Sequence, residues 1–306
     1  MYLGFDTSNY TTSIAWFDGA TGKNLSRLLD VKQGELGLRQ SDAVFSHVKR
    51  LPELADALFA SVDHKTVCAV GVSTRPRAIE GSYMPCFLSG VSAAKTLASV
   101  LHVPCYEFSH QQGHIAAALW SADRMDLMRC PHLAWHLSGG TTELLLVEPD
   151  GKNVRATQIG GTADISAGQI MDRTGKMLNL QFPSGKILDA LAKEAESKER
   201  FRVKTDRLRF SLSGLENKVS AYQSAGHSAG EIAYYAIASV CDVVKRTTTD
   251  ALKEYPGLPV VFSGGVASNS MLREIMASPD CVFAQPAYST DNAMGIAVLT
   301  WMQENE

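Results

Sequence analysis

None of the six cysteines, Cys68, Cys86, Cys105, Cys130, Cys241 and Cys281, forms a C-x-x-C pair. Zinc-ribbon and disulfide-framework classes are therefore excluded, and buried, reduced thiols are expected. No apolar run approaches the roughly 18 residues that a membrane span needs, so no membrane partner is expected. Neither sign of charge dominates: 29 Lys and Arg stand against 32 Asp and Glu, a net charge of −3. That removes a global basic signature for nucleic acid and leaves only a local patch to consider. There is no low-complexity segment and no linker longer than a loop. The opening residues MYLGFDTS read as a strand entering a polar turn, not as a signal peptide, so a cytoplasmic protein is expected.

What is present is a chain of 306 residues with 45% apolar content, enough for a sizeable core and for two domains or one large α/β unit. Residues 2–6 form a short apolar run. The polar residues Thr7-Ser8-Asn9-Tyr10-Thr11-Thr12 follow, then SIAWFDG, closed by Asp18-Gly19. This spacing predicts a β-hairpin whose tip carries hydroxyls and backbone amides. The pattern recurs: HLAWHL (132–137) runs into Ser138-Gly139-Gly140-Thr141-Thr142 and then ELLLVEPDG. The chain thus reads as two halves, each opening with strand, polar turn and strand.

Apolar spacing near 3.6 predicts helices over about 42–61, 85–101, 183–198 and 228–253, from near His110, from near Asn269 and from Asp291 to the C-terminus. Short strands are expected at 67–73, at CYEF (105–108) and at 259–262. Strands alternating with helices predict an α/β protein.

Three Gly/hydroxyl turns follow strands: Thr7-Ser8, Ser138-Gly139-Gly140-Thr141 and Ser263-Gly264-Gly265. Amides freed by glycine and small hydroxyls are what a phosphate requires, although any one such turn is also an ordinary tight turn. None has the Walker or G-x-G-x-x-G pattern, which disfavours P-loop and Rossmann classes. His110 and His114 stand four apart in HQQGH, a spacing that puts both imidazoles on one helix face, where they could share a metal or be incidental. Asp291, read as a helix start, is a candidate third ligand or a plain N-cap. The segment 198–209 carries six bases, which form a solvated surface or an RNA-phosphate contact.

In this order, GFDTSNYTTSIAWFD, HQQGHIAAAL, LSGGTTELLLVE, SAGQIMDRTGKMLNL, FPSG, FSLSGLENKV, SGGVASNSMLR and DNAMGIA resemble the TsaD/Gcp family of tRNA threonylcarbamoyladenosine enzymes. The resemblance runs from residue 4 to 297. It implies a duplicated actin/hexokinase/Hsp70-like fold with a central interdomain cleft. The halves would be 1–130 and 131–306, with a helical insertion near 165–255. It implies a metal-dependent transferase that moves a (threonyl)carbamoyl group from an adenylate to an amine. His110, His114 and Asp291 match the family's ligands for Zn²⁺ or Fe²⁺. Leu137, Ser138, Gly139, Gly140, Thr141, Asp172, Gly185 and Asn269 match residues that hold the adenine nucleotide, ATP or threonylcarbamoyl-AMP. The implied partners are the adenylate, tRNA and a second actin-like-fold protein in a heterodimer.

The chain departs from the family pattern at particular positions. Where the family has T-S-C-D-E-T, Tyr10 and Thr11 replace both acids; they are the candidates at the reaction centre, with no general base identified. Gln112 replaces Glu, Thr141 replaces His, and Gln169 and Glu216 replace Glu and Lys. Arg75-Pro76-Arg77 stands where the family has G-P-G. Two other readings accompany the transferase: a non-catalytic nucleotide-binding paralogue that pairs with another protein of the fold, and an ATP-using kinase or ATPase of the wider fold.

Overall fold

The computed structural model describes residues 1–30 and 38–305. The chain divides into two compact units. One comprises Met1–Cys130, Glu148–Ala156 and Asp291–Glu306; the other comprises Pro131–Val147 and Thr157–Thr290.

In the first unit, β1 (Tyr2–Thr7) and β2 (Thr11–Phe17) form the expected hairpin, with Thr7 opposite Thr12. A third strand, β3 (Gly22–Leu28), continues the meander. Sequence patterning missed it because GKNLSRL is polar and partly exposed, as an edge strand is. The Asp18 carboxylate accepts from the Ala20 and Thr21 amides and closes the β2–β3 turn. Helix α1 (Gln40–Phe59) then leads to β4 (Ala69–Arg75), α2 (Phe87–Leu101), β5 (Cys105–Ser109) and α3 (His110–Ser121). The sheet order is β3-β2-β1-β4-β5, with β1, β4 and β5 parallel. Leu3, Phe5, Ile14, Val70 and Val72 from the sheet pack with Leu51, Leu54 and Leu58 of α1 and Ala94 and Ala98 of α2.

The second unit opens with β6 (His132–Leu137), β7 (Thr142–Asp150) and β8 (Asn153–Thr162). Then come α4 (Ala167–Met177), α5 (Gly185–Ala192), β9 (Thr205–Asp206), β10 (Arg209–Phe210), α6 (Ser213–Ser224) and α7 (Ala229–Glu254). It closes with β11 (Val260–Ser263), α8 (Ser270–Ile275) and β12 (Cys281–Phe283). The helix expected over 183–198 is confined to α5, and α4 and α6 lie outside the helices that apolar spacing predicts. The final helix, α9 (Met294–Asn305), belongs to the first unit.

The second sheet runs β12-β11-β6-β7-β8-β10-β9. Its β8-β7-β6-β11-β12 portion repeats β3-β2-β1-β4-β5, with the antiparallel β6–β7 pair and the parallel β6–β11 and β11–β12 pairs in corresponding places. The two halves therefore repeat one α/β unit, and β9 and β10 extend the second. Leu133, Trp135, Leu137, Leu144 and Phe262 face a core built with α4, α5, α6 and α7. Among the described residues no disulfide joins the cysteines, but Cys68 and Cys130 are exposed, contrary to the expectation of burial. Among the described residues no helix is long and apolar enough to cross a membrane.

Helices α3 and α9 cross where Gly113 meets Gly295. A Cβ on Gly295 would lie 1.8 Å from the Gly113 carbonyl oxygen, a backbone atom that cannot move aside alone. Gly295→Val should therefore destabilise the protein by at least about 1–3 kcal/mol, the usual cost of overpacking. An unchanged thermal midpoint would show that the helices can separate freely.

Candidate metal centre and glycine turn

β1 ends at Asp6-Thr7, and α3 begins at His110. The start of α3 is fixed by a capping box: Ser109 Oγ accepts from the Gln112 amide at 3.2 Å, and Gln112 Oε1 accepts from the Ser109 amide at 2.9 Å. Gln112 also donates to the Val154 carbonyl at 2.8 Å. This buried residue replaces a family acid, yet its amide is committed to the cap and to Val154.

Asp291 does not start a helix. α9 opens at Met294, whose amide donates to Asn292 Oδ1, while Asn24 on β3 accepts from the Ala293 amide. These bonds pin the turn and leave the Asp291 carboxylate against the α3 histidines. His110 Nε2 and His114 Nε2 lie 3.0 Å apart, and Asp291 Oδ1 is 3.6 and 3.3 Å from them. The three residues form a group able to hold a cation. Ligands about 2.0–2.1 Å from a tetrahedral zinc stand about 3.3–3.4 Å apart, so this donor set fits the ion.

Asp6 is a residue that the motif spacing missed. Its Oδ2 accepts from His110 Nδ1 at 2.7 Å, which keeps a proton on Nδ1 and turns Nε2 toward His114 and Asp291. The Ser8 amide donates to Asp6 Oδ1, and Ser8 Oγ donates to Asp291 Oδ2 at 2.8 Å. Burial alone would lower the His110 pKa, but Asp6 and Asp291 outweigh it and push it up. Burial alone would raise that of Asp291, and His110 and His114 instead hold it well below the usual carboxylate range. The two carboxylates thus favour a protonated His110 in the metal-free centre, and a divalent cation would replace that proton.

Tyr10 lies partly exposed in the same β1–β2 turn. Thr11 is buried at the head of β2, opposite Leu28 on β3. Neither is an acid, and the turn is held by Gln40 donating to Asn9 Oδ1 at 2.5 Å.

In the second unit, the turn after Leu137 is organised by Ser138, whose Oγ accepts from the Gly140 and Thr141 amides and meets Thr141 Oγ1 at 2.9 Å. The first turn of α4 is tied to it: the Gly168 amide donates to the Ser138 carbonyl, and the α4 cap Ser166 donates to the Gly139 carbonyl. Further along α4, Asp172 Oδ1 accepts from the Ser184 amide at 3.0 Å, beside Gly185 at the start of α5. Burial raises the Asp172 pKa. Asn269 caps α8 through the Leu272 amide and donates to Asp189, a second residue that the motifs did not mark. Hydrogen bonds thus link 138–141 to α4, α4 to Ser184 and α5 to 269–270.

Some bases of the 198–209 segment are already engaged. Lys198 donates to the Ala195 carbonyl, and Arg200 pairs with Asp242 at 3.2 Å. Glu216, in place of a family lysine, pairs with Arg173 at 2.5 Å.

Residues 32–298 match the family model of TsaD, tRNA N6-adenosine threonylcarbamoyltransferase. A tRNA N6-adenosine threonylcarbamoyltransferase from Lacticaseibacillus casei (strain BL23) is 34% identical over 290 residues, 90% of this chain and 82% of the relative. One from Sulfurihydrogenibium sp. (strain YO3AOP1) is 33% identical over 284 residues, 89% and 80% of the two chains. Among solved structures, the activator of the 2-hydroxyisocaproyl-CoA dehydratase from Clostridium difficile matches with TM-score 0.56 at 15% identity, covering 99% of this chain and 95% of that one. A ROK family glucokinase from Streptomyces griseus matches with TM-score 0.53 at 11% identity, covering 98% and 99%. These structural likenesses show a shared actin/hexokinase-type fold.

Proposed function

This chain belongs to the TsaD family of tRNA N6-adenosine threonylcarbamoyltransferases, and from that premise we propose that it moves a threonylcarbamoyl or related carbamoyl group from an adenylate to an amine. The carrying observation is the convergence of His110, His114 and Asp291, with ligand atoms 3.0–3.6 Å apart. These three residues would hold Zn²⁺ or Fe²⁺. When bound, such an ion supplies a Lewis acid for the acyl carbonyl. Asp6 keeps the proton on His110 Nδ1, and Ser8 orients the Asp291 carboxylate.

The turn Leu137–Thr141, with Asp172, Gly185 and Asn269, would hold the adenylate. Ser138 arranges its amides and Asp172 fixes the start of α5. An acceptor amine, the N6 amine of a tRNA adenosine by the relatives' names, attacks the acyl carbon. The bond from that carbon to the phosphate oxygen breaks, AMP leaves with the bonding electrons, and the amine releases a proton. We also propose a cytoplasmic reaction with tRNA as acceptor and a related actin-like-fold protein as the heterodimer partner. In sequence order, we propose 1–130 and 131–306 as the two actin-like halves, with the helices near 165–255 inserted in the second, although Glu148–Ala156 and Asp291–Glu306 pack in the first compact unit.

AMP release from threonylcarbamoyl-adenylate, abolished by chelation and restored by zinc, tests this reading. Formation of ADP from ATP with a small hydroxyl acceptor would replace it with a kinase. The turn has its own test. A Cβ on Gly140 would meet nothing within 4 Å. Gly140→Val should therefore fold normally but lose at least about tenfold in adenylate affinity, about 1.4 kcal/mol, because the side chain would occupy the approach to the amides. Unchanged affinity by calorimetry would remove the turn from the site.

A further inference from the structure

We propose that His47, on α1, is a positioning residue for the metal centre, acting through the Ser8 carbonyl. The inference rests on the metal reading of His110, His114 and Asp291.

The His47 side chain is fully buried. Its Nε2 lies 2.8 Å from the Ser8 carbonyl oxygen, and its Nδ1 lies 2.8 Å from Thr12 Oγ1. A carbonyl can only accept, so Nε2 carries the proton. Burial lowers the pKa of the ring, which keeps it neutral, so Nδ1 accepts from the Thr12 hydroxyl. The two ring nitrogens thus grip both sides of the β1–β2 turn at Ser8 and Thr12.

Ser8 is the junction of that turn with the centre. Its amide donates to Asp6 Oδ1 at 3.1 Å, and its hydroxyl donates to Asp291 Oδ2 at 2.8 Å. Asp6 in turn holds His110 Nδ1. One peptide unit therefore orients a ligand carboxylate directly and a ligand imidazole through Asp6. Its carbonyl is held by His47. Without that bond, Ser8 can rotate and both carboxylates lose their fixed approach. Groups that orient metal ligands in this way change affinity by roughly 10–100-fold when removed.

Two conservative variants separate positioning from packing. In His47→Gln the side-chain amide reaches the Nε2 position and can still donate to Ser8. In His47→Asn the carboxamide reaches only the Nδ1 position and serves Thr12 alone. Zinc affinity, read by competition with a chromophoric chelator, should stay within about threefold of wild type for His47→Gln. It should fall about 10-fold or more for His47→Asn. Ser8→Ala should cause a comparable loss, and the Ser8→Ala/His47→Asn double variant should lose little beyond either single change, as expected for groups acting in series. Equal zinc affinity for wild type and His47→Asn, or equal losses for His47→Asn and His47→Gln, would overturn the inference alone. A wild-type protein with no zinc affinity would overturn the metal reading and this inference together.

Discussion

With threonylcarbamoyl-adenylate, tRNA and purified partner proteins, this chain should form threonylcarbamoyladenosine about 10²–10⁴-fold more slowly than a relative that keeps both turn carboxylates. That is the usual contribution of a positioned general base. The residues at those positions are Tyr10 and Thr11. An adenine amine must give up a proton as it is acylated, and neither a phenol nor an alkyl hydroxyl is an effective base at neutral pH. The rest of the turn is intact: Ser8 still reaches Asp291, and Asp6 still holds His110. Substrate binding should therefore survive, with the deficit in kcat. The double substitution Tyr10→Asp with Thr11→Glu should recover part of the lost rate. Tyr10 is partly exposed and accepts a carboxylate readily, whereas Thr11 is buried and bears the larger folding cost. Unmodified protein that matches a standard family member in rate would show that the base lies elsewhere. Tight adenylate binding with no turnover in either form would favour a non-catalytic paralogue.

His110→Ala or Asp291→Ala should leave a folded protein that has lost zinc affinity by at least about 100-fold. Changes to the groups that orient metal ligands alone cost roughly 10–100-fold, and each of these variants removes a proposed ligand itself. The two should differ in the metal-free state. Removing Asp291 takes away one of the two carboxylates that hold His110 protonated, leaving Asp6, whereas removing His110 leaves the Asp6 and Asp291 carboxylates in one small volume. Like charges brought together destabilise. The His110→Ala protein should therefore show the lower thermal midpoint without zinc. Full zinc occupancy in both variants would make the histidines structural.

The parts of the molecule legible from sequence were those written in short-range pattern. The strand-turn-strand units at 2–17 and 132–150 announced the duplication, because alternation around a Gly/hydroxyl turn is a local signal. The i, i+4 histidines likewise predicted one helix face, and His110 and His114 share it on α3. What was hidden depends on distant partners. Asp6 looks like an ordinary strand-end acid until β1 is placed beside the start of α3, 104 residues later in the chain. His47 looks like a polar interruption of α1 until the β1–β2 turn closes over it. Asp291 reads as a helix start in the sequence because it precedes an apolar helical run. Asn292 and Asn24 instead secure the turn before α9. Gln112 resembled a lost acid, whereas its amide serves the α3 capping box. The edge strand β3 escaped notice because half-exposed strands carry little apolar alternation.

The most direct measurement is anomalous scattering at the zinc edge from crystals grown with zinc. A single strong peak should appear about 2.0–2.1 Å from His110 Nε2, His114 Nε2 and an Asp291 carboxylate oxygen. The peak should vanish in the Asp291→Ala protein. Absence of a peak at these three residues, in crystals whose protein still turns over threonylcarbamoyl-adenylate, would contradict the metal centre.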